Sequence, residues 1–131
     1  METFSIRTTR RQQLMDITRQ IQQYISESGF IDGLVCIFVP HTTAAVTINE
    51  NADPDVVSDV LTTLTNTFPE HGAYRHSEGN SDAHIKSSLV APSLMVIVEN
   101  GRLQLGTWQS IYFAEFDGPR NRQYWVKMIG N

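Results

Sequence analysis

The chain has 131 residues, of which 40% are hydrophobic and 18% charged, and a net charge of −4. That length fits one domain able to bury roughly two-thirds of its unfolded surface, so residues 1–131 are read as a single unit. No apolar run approaches the roughly 20 residues needed to span a bilayer, and a negative net charge supplies no overall field for nucleic acid, so neither a membrane nor a nucleic acid is expected as partner. The opening METFSIRTTRRQQL carries basic residues with no apolar stretch behind them, unlike a secretory signal, and a cytoplasmic location is the expectation.

In chain order, Thr3 to Thr8 alternates Phe4 and Ile6 with polar neighbours, the two-residue period of a half-buried strand. Ile17, Ile21, Tyr24 and Ile25 recur at helical spacing, with Asp16 placed to accept from the first free amides and Gly29 placed to end the helix. After Gly33 the run Leu34-Val35-Cys36-Ile37-Phe38-Val39 is apolar on both faces and stops at Pro40, as a central strand covered on both sides would. The lone Cys36 then reads as a buried thiol. Ala45 to Ile48 continues or neighbours that strand. Asp53-Pro54 caps a second helix, with Val56, Val57, Val60, Leu61 and Leu64 as its buried stripe and its end near Asn66.

Pro69 to Asp82, rich in Gly, Asn, Ser, His and charge, predicts a loop, and His84 follows it closely enough to be read with it. Ser93 to Val98 reads as a strand, and Asn100-Gly101 as a tight hairpin turn into Arg102 to Leu105. Two further strands, Trp108 to Phe116 and Gln123 to Ile129, flank a turn at Asp117-Gly118-Pro119-Arg120. Many strands with two main helices predict an α+β fold, a mixed or antiparallel sheet or sandwich.

Polar residues beside strand and helix ends mark the candidate chemistry. His41-Thr42-Thr43 follows a buried strand, and Asn49-Glu50-Asn51-Ala52-Asp53 lies between a strand and a helix start. His41, His76 and His84, with Asn49, Asn51 or Glu78 orienting an imidazole, would make an open metal site if they converge; otherwise they are hydrogen-bonded or surface histidines. His71 reads as a solvated loop residue. Lys86 and Arg102 carry fixed charge that can hold a phosphate or can simply face solvent. Glu50, Glu78, Asp82 and Glu115 form no diagnostic acid/base pair, and no Walker loop, dinucleotide glycine fingerprint or Ser-His-Asp context is present.

Three blocks in order, His41-Thr42-Thr43-Ala44-Ala45 with Asn49-Glu50-Asn51-Ala52-Asp53-Pro54, then Glu78-Gly79-Asn80-Ser81-Asp82-Ala83-His84-Ile85-Lys86, then Gly101-Arg102-Leu103-Gln104-Leu105-Gly106-Thr107-Trp108-Gln109, closely resemble the YjbQ family over nearly the full length. This is an uncharacterised protein family also known as secondary thiamine-phosphate synthase. The resemblance implies a compact α+β domain, a homotrimer, and His41, His76 and His84 as the family's site histidines. It implies a reaction joining a pyrimidine methyl diphosphate to a thiazole phosphate with release of diphosphate, and hence a small phosphorylated metabolite as partner. A divalent metal is the expected cofactor, zinc first and magnesium as the choice suited to diphosphate. The alternative is a non-enzymatic trimer that binds a metal or small anion. The aromatic residues Trp108, Tyr112, Phe113, Phe116, Tyr124 and Trp125 supply rings that can pack between subunits.

Overall fold

A computed structural model describes residues 1–131 as an α+β domain of eight strands and three helices. The strands are β1 (Glu2–Arg7), β2 (Gln13–Asp16), β3 (Gly33–Phe38), β4 (Ala44–Glu50), β5 (Ser93–Glu99), β6 (Arg102–Leu103), β7 (Gln109–Glu115) and β8 (Asn121–Gly130). The helices are α1 (Thr18–Ser28), α2 (Pro54–Thr67) and α3 (Ser81–Val90). A five-stranded sheet runs β1-β8-β3-β5-β6 and a three-stranded sheet β2-β7-β4, with every pairing antiparallel.

The core lies between the sheets. Ile17, Ile21 and Ile25 of the α1 region meet Val35 and Ile37 of β3, Val96 and Val98 of β5, and Tyr124 and Val126 of β8, while Val46 of β4 and Phe113 of β7 close it from the small sheet. Each such aliphatic side chain, fully withdrawn from water, contributes about 1.5–3 kcal/mol. The small sheet is buried on its other face too. Ala45, paired with Ala114, turns there to meet Ala83 of α3 and Phe116. Three alanines at this contact let α3 lie close against the sheet.

Most elements follow the sequence pattern. Asp16 Oδ1 accepts from the Thr18 amide at 2.9 Å, and Gly29 ends α1 at φ 75°. Asn100 and Gly101 both adopt positive φ, 52° and 73°, as the hairpin turn requires. The third helix was not expected. Residues 81–90 have almost no amphipathic period, because α3 faces its neighbours with Asp82, Ala83, Lys86 and Ser87 rather than with large aliphatics. Helix α2 departs in the other direction: its valines and leucines are only half-buried, with none fully withdrawn from solvent.

Strand β3 is also covered on one side only. Val35 and Ile37 enter the core, whereas Leu34 and Phe38 stay exposed and Cys36 is half-buried, so the expected buried thiol stands on an open sheet face. Of the six aromatic residues whose rings can pack between subunits, four are not free to do so. Tyr112, Phe113, Phe116 and Tyr124 are interior to the chain, since they sit at inward positions of β7 and β8 or at the end of β7.

An ionic cluster anchors α3. Asp82 and Lys86, one helical turn apart and both fully buried, pair at 2.8 Å, and Arg11 grips Asp82 with two bonds of 3.0 and 3.1 Å. Burial would raise the Asp82 pKa, but the hydrogen bonds from Arg11 and Lys86 outweigh it and hold the carboxyl below its ordinary value. Asp82→Ala leaves the Lys86 ammonium buried and unpaired, and should cost about 3–5 kcal/mol. Urea unfolding measures this, and a loss below about 1 kcal/mol would show the cluster to be peripheral to stability.

Candidate functional site

A cavity of about 710 Å³ opens where the ends of β3, β7 and α3 meet. Its floor is made of charge buried between the two sheets. Arg122 occupies an inward position on β8, where its neighbours Tyr124 and Val126 also point in, and its Nε donates to Glu115 Oε1 at 2.9 Å. Its Nη2 bonds Glu115 Oε2 and donates to Thr43 Oγ1 at 2.8 Å. Glu115 further accepts from the Thr8 hydroxyl at 2.7 Å and the Asp117 amide at 3.0 Å. Burial pushes the Glu115 pKa up, and the bonds from Arg122, Asp117 and Thr8 bring it below its ordinary value. Gly118 is required beside this pair, because a Cβ there would meet the Arg10 carbonyl at 2.4 Å and Glu115 Cγ at 2.8 Å.

The walls carry the histidines. His41 leaves the end of β3, and its Nε2 accepts the Gln123 backbone N–H at 2.9 Å. Burial and the nearby Arg122 guanidinium lower its pKa from 6.5. A neutral imidazole accepting at Nε2 carries its proton on Nδ1, so His41 is assigned as a fixed hydrogen-bond donor whose one lone pair is already occupied. His76, from the 68–80 connection, meets His84 of α3 edge to face with centroids 5.4 Å apart. Glu78 approaches His76 Nε2 at 3.7 Å. Asn80 donates to Asp117 Oδ2 at 2.8 Å, and the same oxygen accepts from Arg120 Nη2 at 2.8 Å.

The cavity thus brings together His41, His76, Glu78 and His84 of the residues singled out in the sequence. His84 stands on a helix rather than in the loop. That placement also explains Lys86: two helical residues subtend about 200°, so Lys86 points away from His84 into the Asp82 pair and is fully buried. It has no cavity-facing charge to give a phosphate. Asn49, Asn51 and Arg102 lie elsewhere in the chain. His41 precedes β4 and Asn49 stands one residue from its far end, and a seven-residue strand spans roughly 20 Å. Asn51 and Arg102 line a different cavity, and Asn49 a third. His71 is almost fully exposed.

The open three-histidine metal site does not fit this arrangement within one chain. No three His, Cys, Asp or Glu side chains gather closely enough to share an ion, and the His41 Nε2 lone pair is bonded to Gln123. Asn80, Asp117, Arg120 and Arg122 also line the cavity and were not singled out as its residues. Arg122 stands one residue before the strand start expected at Gln123, and carrying the inward positions Tyr124 and Val126 back by two residues is the signal that could have found it. Arg120 and Asp117 were hidden in a segment whose composition announces only a turn.

The depressed His41 pKa makes the folded state harder to protonate than the unfolded chain, which takes up its proton near 6.5. This contribution to stability is complete above that pH and declines as pH falls through it. The depressed carboxylates Asp82 and Glu115 add their own loss only as pH falls below about 4. His41→Gln, which keeps an acceptor for Gln123, should therefore flatten the dependence of the urea midpoint between about pH 7 and pH 5. An unchanged slope would remove His41 from that window.

Residues 2–131 match the family model described as UPF0047 protein YjbQ-like. The chain is 54% identical to the UPF0047 protein YugU of Bacillus subtilis over 99% of both chains, and 54% identical to a UPF0047 protein of Methanocaldococcus jannaschii over 98% of this chain and 93% of that one. Among solved structures, a YjbQ/UPF0047-family protein of Clostridium acetobutylicum superposes with a TM-score of 0.97 at 53% identity, covering 98% of this chain and all of the other. A hypothetical protein of Aeropyrum pernix does so with a TM-score of 0.94 at 38% identity, each chain covered in full. The chain belongs to the YjbQ-like UPF0047 family.

Proposed function

We propose that the histidine cavity binds a small phosphorylated metabolite and acts on it as a transferase, the candidate reaction being thiamine phosphate formation. The observation that carries this reading is the convergence of three imidazoles, with His41 held as a neutral donor, over a floor of buried charge. In that reaction the thiazole nitrogen bonds to the pyrimidine methylene carbon. The bond from that carbon to the diphosphate oxygen breaks, and diphosphate leaves with the electron pair. What the site has to supply is orientation and donors aimed at the departing oxygens. His41 Nδ1–H, the His76 and His84 pair, and the outer N–H groups of Arg120 are the donors available. Binding without turnover is the competing reading.

Purified protein given both thiamine precursors should form thiamine phosphate and diphosphate, and His41→Ala, His76→Ala and His84→Ala should each lower the rate by about 10²-fold or more. A rise in Tm with inorganic diphosphate but no turnover would replace the enzyme with a binding protein. Turnover unaffected by all three substitutions would remove the chemistry from this cavity.

We also propose a homotrimer, supported by the open face of the large sheet. Leu34, Met95, Ile97 and Ile129 stand exposed side by side on β3, β5 and β8, and the stacked Phe38 and Trp125 rings extend the face to the cavity mouth. An apolar face of this kind on a single chain calls for a partner surface. Sedimentation at micromolar concentration should give a trimer, and Ile97→Glu should shift it toward monomer. A monomer in the unsubstituted protein rejects the assembly.

A further inference from the structure

The far end of the β4 and β7 pair carries a second set of polar groups that the histidine cavity does not use. A cavity of about 640 Å³ lies there between the start of α1, β6 and the start of β7, and Gln109 lines both it and a smaller recess of about 260 Å³ beside Trp108. No residue of either lines the histidine cavity. Arg19 and Arg102 reach into the larger cavity, both exposed and neither in an ion pair with any acid of the chain. The Trp108 indole, 61% exposed, projects from a turn held by the bond from the Asn51 amide to its carbonyl at 3.0 Å.

We infer that this groove is a separate binding site for a planar heterocycle bearing a phosphate, its ring laid on Trp108 and its phosphate held by Arg19 and Arg102. An indole held out in solvent on a hydrogen-bonded turn offers a flat apolar face, and stacking a heteroaromatic ring on it recovers the exposure. Two guanidinium groups without acid partners match the oxygens of a phosphate. Between the two ends lies a preset row of hydrogen-bonding groups. Asn51 Nδ2 donates to the buried Ser110 hydroxyl at 2.6 Å, and Asp16, at the head of α1, stands beside both. Burial would raise the Asp16 pKa, but its bonds to Thr18, Ser110 and Asn51 hold it below its ordinary value, so it stays an ionised acceptor for a ligand hydroxyl. Asp16 in the larger cavity and Glu50 in the recess beside Trp108 balance the two arginines in number, so an anion is held by Arg19 and Arg102 acting together at their end of the groove rather than by a net positive charge.

The test uses the full chain with adenosine 5′-monophosphate and uridine 5′-monophosphate as probes, and adenosine and inorganic phosphate as the separated halves, each titrated calorimetrically. Binding of a monophosphate is expected, tighter than of either half, and Trp108→Ala and Arg102→Gln should each weaken it by about tenfold or more. Arg102→Lys should restore part of that loss, and His84→Ala should leave it unchanged. In a Trp125→Phe background the Trp108 emission should be quenched by acrylamide and perturbed by the ligand. No binding at about 1 mM, binding indifferent to Trp108 and Arg102, or binding lost with His84 overturns the assignment. So does a Trp108 shielded from acrylamide, which would mean that another copy of the chain covers the groove. Failure of the thiamine-precursor reaction has no bearing on these outcomes.

Discussion

Glu115 and Arg122 are withdrawn from water at the place where the small sheet meets the large one, and the histidine cavity stands on them. A buried carboxylate and guanidinium are tolerable only when their remaining bonding positions are filled. Here Thr8, Thr43 and the Asp117 amide fill them, and those three residues come from the end of β1, the approach to β4 and the exit from β7. One ion pair therefore fixes the relative position of four strand ends. Apolar residues of the same volume would hold the sheets together as well or better. They would not leave a polar floor, nor would they set the Asp117 to Arg120 turn beside it.

The sheet pair β4 and β7 then decides which polar residues meet. Because their antiparallel register sets Ala44 against Glu115 and Glu50 against Gln109, residues close to the first pair collect around the histidines and residues close to the second collect around Trp108. Two polar blocks that stand eight residues apart in sequence are in this way sent to opposite ends of the same ladder. Burial of both faces of β4 keeps that register from slipping, since a one-residue shift would exchange Val46 with Ala45 and ruin both cores.

What was legible in the sequence was whatever one local rule specifies. The Asn100-Gly101 turn, the Asp53-Pro54 start of α2, the isoleucine stripe of α1 and the two-residue alternation of β1 each depend on a single nearby preference. The convergence of His41 with His84 was legible only through family resemblance, because it depends on β3 and α3 meeting in space. Helix α3 escaped the periodic reading for a specific reason. Its buried side consists of Asp82, Ala83, Lys86 and Ser87, residues that look like surface when counted one by one and become interior only when Arg11 arrives from 71 positions away. Strand β2 escaped because four residues, Gln13–Asp16, hold too short a pattern to register.

The two ends differ in how free their cations are, and the chemistry each can support follows from that difference. Around the histidines the fixed charges are committed: Arg122 to Glu115, Arg120 to Asp117, Arg11 and Lys86 to Asp82. A ligand there must find its donors chiefly in imidazole and hydroxyl groups and in the outer N–H groups of Arg120, whose bonds strengthen as negative charge grows on the departing oxygens. That is the condition under which binding energy lowers a barrier rather than merely holding a ground state. Arg19 and Arg102 are uncommitted, so an anion gains as much from them on arrival as at any later moment, which is what retention requires and what catalysis does not. The commitment of the charges, more than their number, separates a place suited to reaction from a place suited to binding.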